Sequence, residues 1–189
     1  MKQQLKISLT LAVVCAIAAA SLAAVNQVTQ KAIAINSIKE LQESLKIVYP
    51  IADRFELEEM PVQEVSSDSK SHDFTIIDQY QAYQGDRKIG KVYRVSSKGY
   101  GGQIVLLIAI STQTNTMVGM RVLEHQETPG LGSEITSSHF QEQFHDKPLS
   151  DSFELNRDIQ ALSGATISSR AVIRACQGVL TELGKEADQ

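Results

Sequence analysis

Residues 7–25, ISLTLAVVCAIAAASLAAV, contain no charged side chain, and this stretch constrains the fold of the chain most strongly. As a helix rising about 1.5 Å per residue it would span roughly 28 Å, close to the hydrocarbon thickness of a bilayer. Lys2 and Lys6 precede it, which favours a cytoplasmic N-terminus over residues 1–6 and the rest of the chain on the opposite side. The sequence therefore predicts a single transmembrane anchor over residues 7–25.

The same stretch also fits a cleavable signal peptide, because its end, AAASLAAV, contains several small-x-small sites at which such peptides are cut. The uncharged run is longer than the core of a usual signal peptide, and this length favours an uncleaved anchor. Residues 26–50 continue with apolar residues at helical spacing up to Pro50. They predict a helical extension of the anchor, and the polar, acidic residues 51–73 predict an irregular connection.

Strand patterns dominate the chain after residue 73. Residues 74–83 (FTIIDQYQAY) and 88–97 (KIGKVYRVSS), separated by QGDR, suit a hairpin. Residues 102–111 (GQIVLLIAIS) are nearly all apolar, as expected for a strand buried on both faces, and residues 116–126 alternate as in a half-buried strand.

Helical patterns follow the strand patterns. Residues 133–144 look helical, and the chain ends in a strong helix. One apolar stripe on that last helix is formed by Val172, Ala175, Cys176, Val179, Leu180 and Leu183. The sequence predicts an α+β domain over residues 74–189, with helices packed on an antiparallel sheet and the single transmembrane helix before it.

Composition and charge exclude several function classes. The net charge of −4, with no block of like charges and no tryptophan, makes nucleic acid an unlikely partner, since phosphate backbones require clustered Lys and Arg. Cys15 lies in the apolar stretch and Cys176 in the last helix, so a disulfide between them is not expected. The histidines are scattered without ligand spacing, which predicts surface roles and no metal site.

Three glycine-containing loops interrupt the predicted elements, at residues 96–103 (SSKGYGGQ), 124–134 (EHQETPGLGSE) and 162–169 (LSGATISS). All three adjoin the ends of elements, where ligands are usually held. The third precedes a helix, whose first N–H groups lack partners and attract phosphates. Ser163 or Thr166 can cap that helix, or either hydroxyl can meet a phosphate, and the loop by itself leaves both interpretations open.

Taken together, the anchor and the runs GYGG, HQETPGLG and SGATISSRAV resemble one known family. It is the FMN-binding domain found in the G subunit of Rnf electron-transport complexes and in the C subunit of sodium-pumping NADH:quinone reductases. The resemblance extends over most of the chain. The chain length favours the Rnf-type subunit, because the quinone-reductase counterpart is usually longer.

The resemblance implies that Thr166 carries FMN through a phosphoester bond to its hydroxyl, attached by a flavin transferase that uses FAD as donor. The family motif also has an upstream Asp, for which Asp158 is the candidate. The other implied cofactor contacts are Ser163, Gly164, Ala165 and Ile167 near the phosphate, Glu127, Thr128, Leu131 and Gly132 near the isoalloxazine ring, and Tyr100.

The function implied by the resemblance is electron relay in an ion-translocating ferredoxin:NAD oxidoreductase, with no acid–base catalysis by side chains and no independent activity. It implies other membrane subunits as partners, a location in the cytoplasmic membrane and a domain on the extracytoplasmic side. Three alternatives stay open: a component of a sodium-pumping quinone reductase, an anchored module that binds a flavin or another phosphorylated ligand without electron transfer, and a structural component in which SGAT is only a cap.

Overall fold

The computed structural model describes residues 2–58 and 74–187. It divides the chain into two compact units, residues 1–42 and 43–189. The predicted connection over residues 51–73 is described only up to residue 58, and the remainder of that prediction lies outside the described residues.

Helix α1 (Lys2–Val48) runs continuously through the predicted anchor and its extension. It ends where Pro50 follows, since proline lacks the N–H that a further helical turn requires. Its large apolar side chains between residues 9 and 25 are exposed, for example Leu22 at 72 %. Within the described residues, no helix combines the length and the apolar character that crossing a membrane requires.

The second unit is built on a six-stranded antiparallel sheet in which the strands lie in chain order, β1-β2-β3-β4-β5-β6. The strands are β1 (Arg54–Glu58), β2 (Phe74–Gln84), β3 (Arg87–Lys98), β4 (Gln103–Ser111), β5 (Thr116–Glu124) and β6 (Lys147–Pro148). The predicted hairpin corresponds to β2 and β3, and the next two predicted strands correspond to β4 and β5. The antiparallel α+β fold is confirmed.

Two local predictions differ from the structure. Strand β1 forms within the predicted irregular connection, where the alternation of Phe55 and Leu57 is short and surrounded by charge, and pairing with β2 supplies the order. The helix predicted over residues 133–144 consists of a 3₁₀ turn (Gly132–Thr136), helix α2 (Ser138–Gln141) and a second 3₁₀ turn (Glu142–Phe144). Ser137 interrupts the predicted helix because its backbone is extended. Its side chain accepts a hydrogen bond from the Phe140 amide and so caps α2.

One face of the sheet packs against helix α3 (Thr166–Ala187). The inward residues of β4 are fully buried there, together with Val172, Ala175, Cys176 and Val179 of the predicted stripe, while Leu180 and Leu183 are partly buried. This burial raises the pKa of the Cys176 thiol, so the thiol stays protonated and behaves as a small apolar group. The apolar stripe therefore fixes the rotation of α3 and the direction of its first turn.

The end of α1 lies against the opposite face of the sheet. Leu107 and Ala109 on β4 point away from α3 and are fully buried, as the prediction of a strand buried on both faces requires. Val48 lies against Gly119 of β5, and the Tyr49 hydroxyl donates a hydrogen bond of 2.9 Å to the Ile89 carbonyl. The residues just after position 42 thus belong to the core of the second unit.

Tyr49→Phe should lower the free energy of unfolding by about 1 kcal/mol, because the variant loses a buried hydrogen bond. The Ile89 carbonyl retains the Thr112 amide as a donor, which limits the loss. The expected change in the midpoint of thermal unfolding is about 2–4 °C. Tyr83→Phe is the matched control, since the Tyr83 hydroxyl has no hydrogen-bond partner among the described residues. An equal loss in both variants would contradict this assignment.

Burial raises the pKa of Tyr49 from its ordinary value of 10.0, because the buried site disfavours the phenolate. The resulting stabilisation is fully present below pH 10 and is lost as the pH rises through the higher folded-state pKa. As the pH rises above about 10, the free energy of unfolding should therefore fall less in Tyr49→Phe than in the wild type, as chemical unfolding at a series of pH values can measure. Burial also raises the pKa of Tyr80, so Tyr49→Phe should still lose some stability at high pH.

Candidate functional site

The three predicted glycine loops meet around a cavity of about 520 Å³ in the second unit. The residues that line it are Tyr100, Glu127, Thr128, Leu131, Gly132, Gly164, Ala165, Thr166, Ile167 and Ser168. Every predicted cofactor contact except Ser163 therefore belongs to the lining, and Ser168 is an addition. Tyr100 and Thr166 are more than sixty positions apart in the sequence and line the same cavity. Tyr100 lies in the loop between β3 and β4, and Thr166 begins α3, which packs on the sheet.

The start of α3 is not capped by either predicted hydroxyl. Ala165 occupies the cap position, where its carbonyl accepts the first helical hydrogen bond from the Ser169 amide at 3.0 Å. Ser169, one turn inside the helix, accepts from the Leu162 amide at 3.1 Å and donates to the Ala165 carbonyl at 3.0 Å. The interpretation of Ser163 or Thr166 as a helix cap is therefore wrong, because an alanine occupies that position and an internal serine ties down the loop.

Polar groups without partners gather at this helix start. Within the described residues, the amides of Thr166, Ile167 and Ser168 have no hydrogen-bond acceptor, and the Thr166 hydroxyl has no partner. Thr166 is exposed and faces the cavity. Amides at a helix N-terminus carry partial positive charge and bind anions readily. The site can therefore hold the oxygens of a phosphate beside a free hydroxyl.

The Glu127 carboxylate joins the three loops. It is only 5 % exposed. Its Oε1 accepts hydrogen bonds from the amides of Tyr100 and Gly101, both at 3.0 Å. Its Oε2 accepts from the Ser168 hydroxyl at 2.5 Å. The family resemblance assigns Glu127 to the ring of a bound flavin, and the structure gives its carboxylate a further role in holding the loops together.

Gly132 is required by this arrangement. A Cβ atom at position 132 would lie 2.6 Å from Glu127 Oε2 and 2.8 Å from the Ser168 hydroxyl oxygen. Gly164, in the third loop, has a φ of +74°, a backbone conformation that residues with a side chain rarely adopt. Gly132 lines the cavity, and the Glu127 carboxylate and the Ser168 hydroxyl occupy the space that a side chain at this position would need.

Ser168 was not predicted, although its signal is in the sequence. It precedes Val172 and Ala175 by four and seven residues, which puts it on the buried stripe of α3. A hydroxyl at such a position requires a buried partner, and Glu127 supplies it. The rim of the cavity carries exposed apolar side chains instead, namely Tyr100 (71 %), Leu131 (48 %) and Ile167 (49 %).

Asp158 does not line the cavity. Its carboxylate accepts hydrogen bonds from the Ser152 hydroxyl at 2.5 Å and from the Glu154 amide at 3.3 Å, and these bonds order the loop that precedes α3. The Ser152 hydrogen bond is the main cause that lowers the pKa of this carboxyl group. Within the described ranges no cluster of metal-ligating side chains occurs, and His125 accepts a hydrogen bond from the Glu127 amide. His72 lies outside the described residues.

The fold and the cavity define an α+β domain with a candidate ligand site, where the Thr166 hydroxyl and the first amides of α3 have no partner among the described residues. Residues 99–181 match the family model described as FMN-binding domain. The G subunit of the ion-translocating oxidoreductase complex of Methanosarcina acetivorans is 36 % identical over 92 % of this chain and 91 % of that protein. The G subunit of the proton-translocating ferredoxin:NAD(+) oxidoreductase complex of Clostridium ljungdahlii is 30 % identical over 94 % and 90 %. The chain belongs to the family formed by the G subunits of ion-translocating oxidoreductase complexes.

A solved structure is also similar. The crystal structure of Shewanella oneidensis NqrC aligns with 69 % of this chain and 66 % of that chain, with 24 % identity and a TM-score of 0.46.

Gly132→Ala should destabilise the second unit by about 1–3 kcal/mol, because its methyl group would push Glu127 and Ser168 apart. Gly184→Ala is the matched control, since a Cβ at that position of α3 meets no atom within 4 Å. Replacing this helical glycine should stabilise the protein by about 0.5–1 kcal/mol. Thermal or denaturant unfolding of the two variants measures the contrast, and a neutral Gly132→Ala would show that the carboxylate is not tightly enclosed.

Proposed function

We propose that this protein carries FMN bound through its phosphate to the Thr166 hydroxyl and relays electrons within an ion-translocating oxidoreductase complex. The observation that carries the proposal is the start of α3. There an exposed threonine hydroxyl and the amides of residues 166–168, all without a partner in the described part of the chain, lie together on a cavity of about 520 Å³. That volume lies within the range of small-molecule and cofactor sites.

The helix start supplies the hydroxyl and the amide donors that the attachment requires on the side of this protein. The Thr166 oxygen forms the new bond to the FMN phosphorus of FAD, AMP leaves, and the hydroxyl proton is released, so the protein gains FMN less one water. The amides of Ile167 and Ser168 have no competing partner among the described residues and can donate to the remaining phosphate oxygens. Gly164 and Ala165 leave the hydroxyl accessible to a flavin transferase.

The charge of the cavity favours an ester over freely bound FMN. Among the described residues that line it, Glu127 is the one charged residue, and none is a lysine or arginine. The phosphate of free FMN carries about two negative charges near neutral pH, and the donors that this described lining offers it are neutral. Esterification to Thr166 removes one ionisable oxygen and leaves a single charge, which helix amides can balance. The bond thus retains a ligand that charge pairing would hold poorly.

The electron-relay part of the proposal is supported by the relatives, which are named as components of ion-translocating oxidoreductase complexes. A bound flavin supplies the redox chemistry, and the protein supplies its position and its electrostatic surroundings. The partners in this proposal are the other membrane subunits and a flavin transferase. Residues 7–25, which carry no charge, are the proposed anchor, with the cavity-bearing unit on the extracytoplasmic side of the cytoplasmic membrane.

The test is the intact mass of the denatured full-length protein after co-expression with a flavin transferase. The wild type should gain the mass of FMN less water, and Thr166→Ala should gain nothing while keeping its unfolding midpoint, because an exposed hydroxyl without partners contributes little stability. Thr128→Ala is the matched control: it removes the other threonine hydroxyl of the cavity and should keep the full mass gain.

A wild type that gains no mass, or a Thr166→Ala variant that still carries covalent flavin, would contradict the proposed attachment. Retention of flavin that is released on denaturation would instead support an anchored module that binds the cofactor reversibly.

A further inference from the structure

The cavity combines neutral donors at one end with a buried negative charge in its lining. The Glu127 carboxylate has no Lys, Arg or His side chain within ion-pair distance among the described residues. It is held by two backbone amides and one hydroxyl. The amides of Tyr100 and Gly101 can only donate, so Oε1 must act as an acceptor.

A charge at such a position acts strongly on whatever occupies the cavity. Water screens a surface carboxylate, whereas a carboxylate that is 5 % exposed is screened much less. Glu124, on the same stretch of chain, provides the contrast. Its side chain is 71 % exposed and lies 3.9 Å from the Arg94 guanidinium. Of these two carboxylates, Glu127 therefore acts more strongly on a ligand in the cavity, because water screens it less.

We propose that the buried Glu127 carboxylate lowers the reduction potential of the flavin held in this cavity. This inference rests on the proposed function, because it requires FMN at Thr166. When a bound flavin takes up two electrons and one proton, the ring system gains one negative charge. A fixed negative charge in the lining opposes that gain and favours the oxidised form. The three hydrogen bonds to Glu127 keep the charge in place, and its connection to Ser168 ties it to the helix that carries the cofactor.

The experiment is a redox titration of the full-length protein loaded by a flavin transferase, followed by flavin absorbance with dithionite as reductant and reference dyes. Glu127→Gln keeps the shape of the side chain and removes its charge, so the midpoint potential should shift to more positive values. Glu127→Asp keeps the charge and shortens the side chain, so its potential should stay nearer to that of the wild type. Glu124→Gln is the matched control for loss of an exposed carboxylate and should leave the potential unchanged.

A further variant leaves Glu127 itself intact. Ser168→Ala removes one of the donors that offset the carboxylate charge, so the potential should shift to more negative values. This arm tests the inference even if Glu127→Gln fails to fold or to accept flavin.

An unchanged potential in Glu127→Gln would overturn the inference, as would equal shifts in Glu127→Gln and Glu127→Asp or a positive shift in Ser168→Ala. The proposed function fails separately, and visibly, if the wild type carries no covalent FMN by intact mass. A loaded wild type with unaltered potentials in the variants would leave the FMN attachment standing and remove only the role of Glu127.

Discussion

The hydrogen bonds of the Glu127 carboxylate hold the site together. They join the loop after β3 to the first turn of α3 through the loop that Glu127 itself occupies. A buried carboxylate is costly unless its oxygens are satisfied, so the two loops that supply donors are restrained to positions beside the loop that carries Glu127. Position 132 requires a glycine, because the Glu127 carboxylate and the Ser168 hydroxyl occupy the space that a side chain would need. The hydrogen bonds that satisfy this one buried carboxylate therefore set the positions of the loops that form the cavity.

The packing of helix α3 on the core determines which of its side chains face the site. Its apolar stripe packs on the inward side of β4, which fixes the rotation of the helix. That rotation turns Ser168 and Ser169 inward, where they bond Glu127 and the Leu162 amide, and turns Thr166 outward to the cavity. On the other face of the sheet, Val48 lies against Gly119 of β5 and Tyr49 against Gly90 of β3, and the β4 residues of that face are also buried. The site therefore rests on a well-packed core, which favours a fixed position of its side chains.

Much of the fold could be predicted because its signals are local. The alternation in β2 and β5, the apolar run of β4 and the stripe of α3 each depend on residues within one element. Strand β1 was missed because five residues with two apolar positions carry little signal, and its order comes from pairing with β2. The break at Ser137 was missed because the helical pattern of residues 133–144 continues across it, while the capping geometry does not appear in that pattern.

The sequence by itself determined which loops bear the site, because glycine, threonine and small residues cluster there and motif resemblance links them to FMN. The motif resemblance also singled out Thr166 as the candidate for attachment, whereas the pattern of the loop alone left Ser163 and Thr166 equally open. Only the tertiary structure decided that Ala165 occupies the cap position, that Ser168 belongs to the cavity, and that Glu127 is buried among neutral donors. Those facts depend on contacts between segments far apart in the chain, and a local pattern contains no information about which distant partner will satisfy a buried charge.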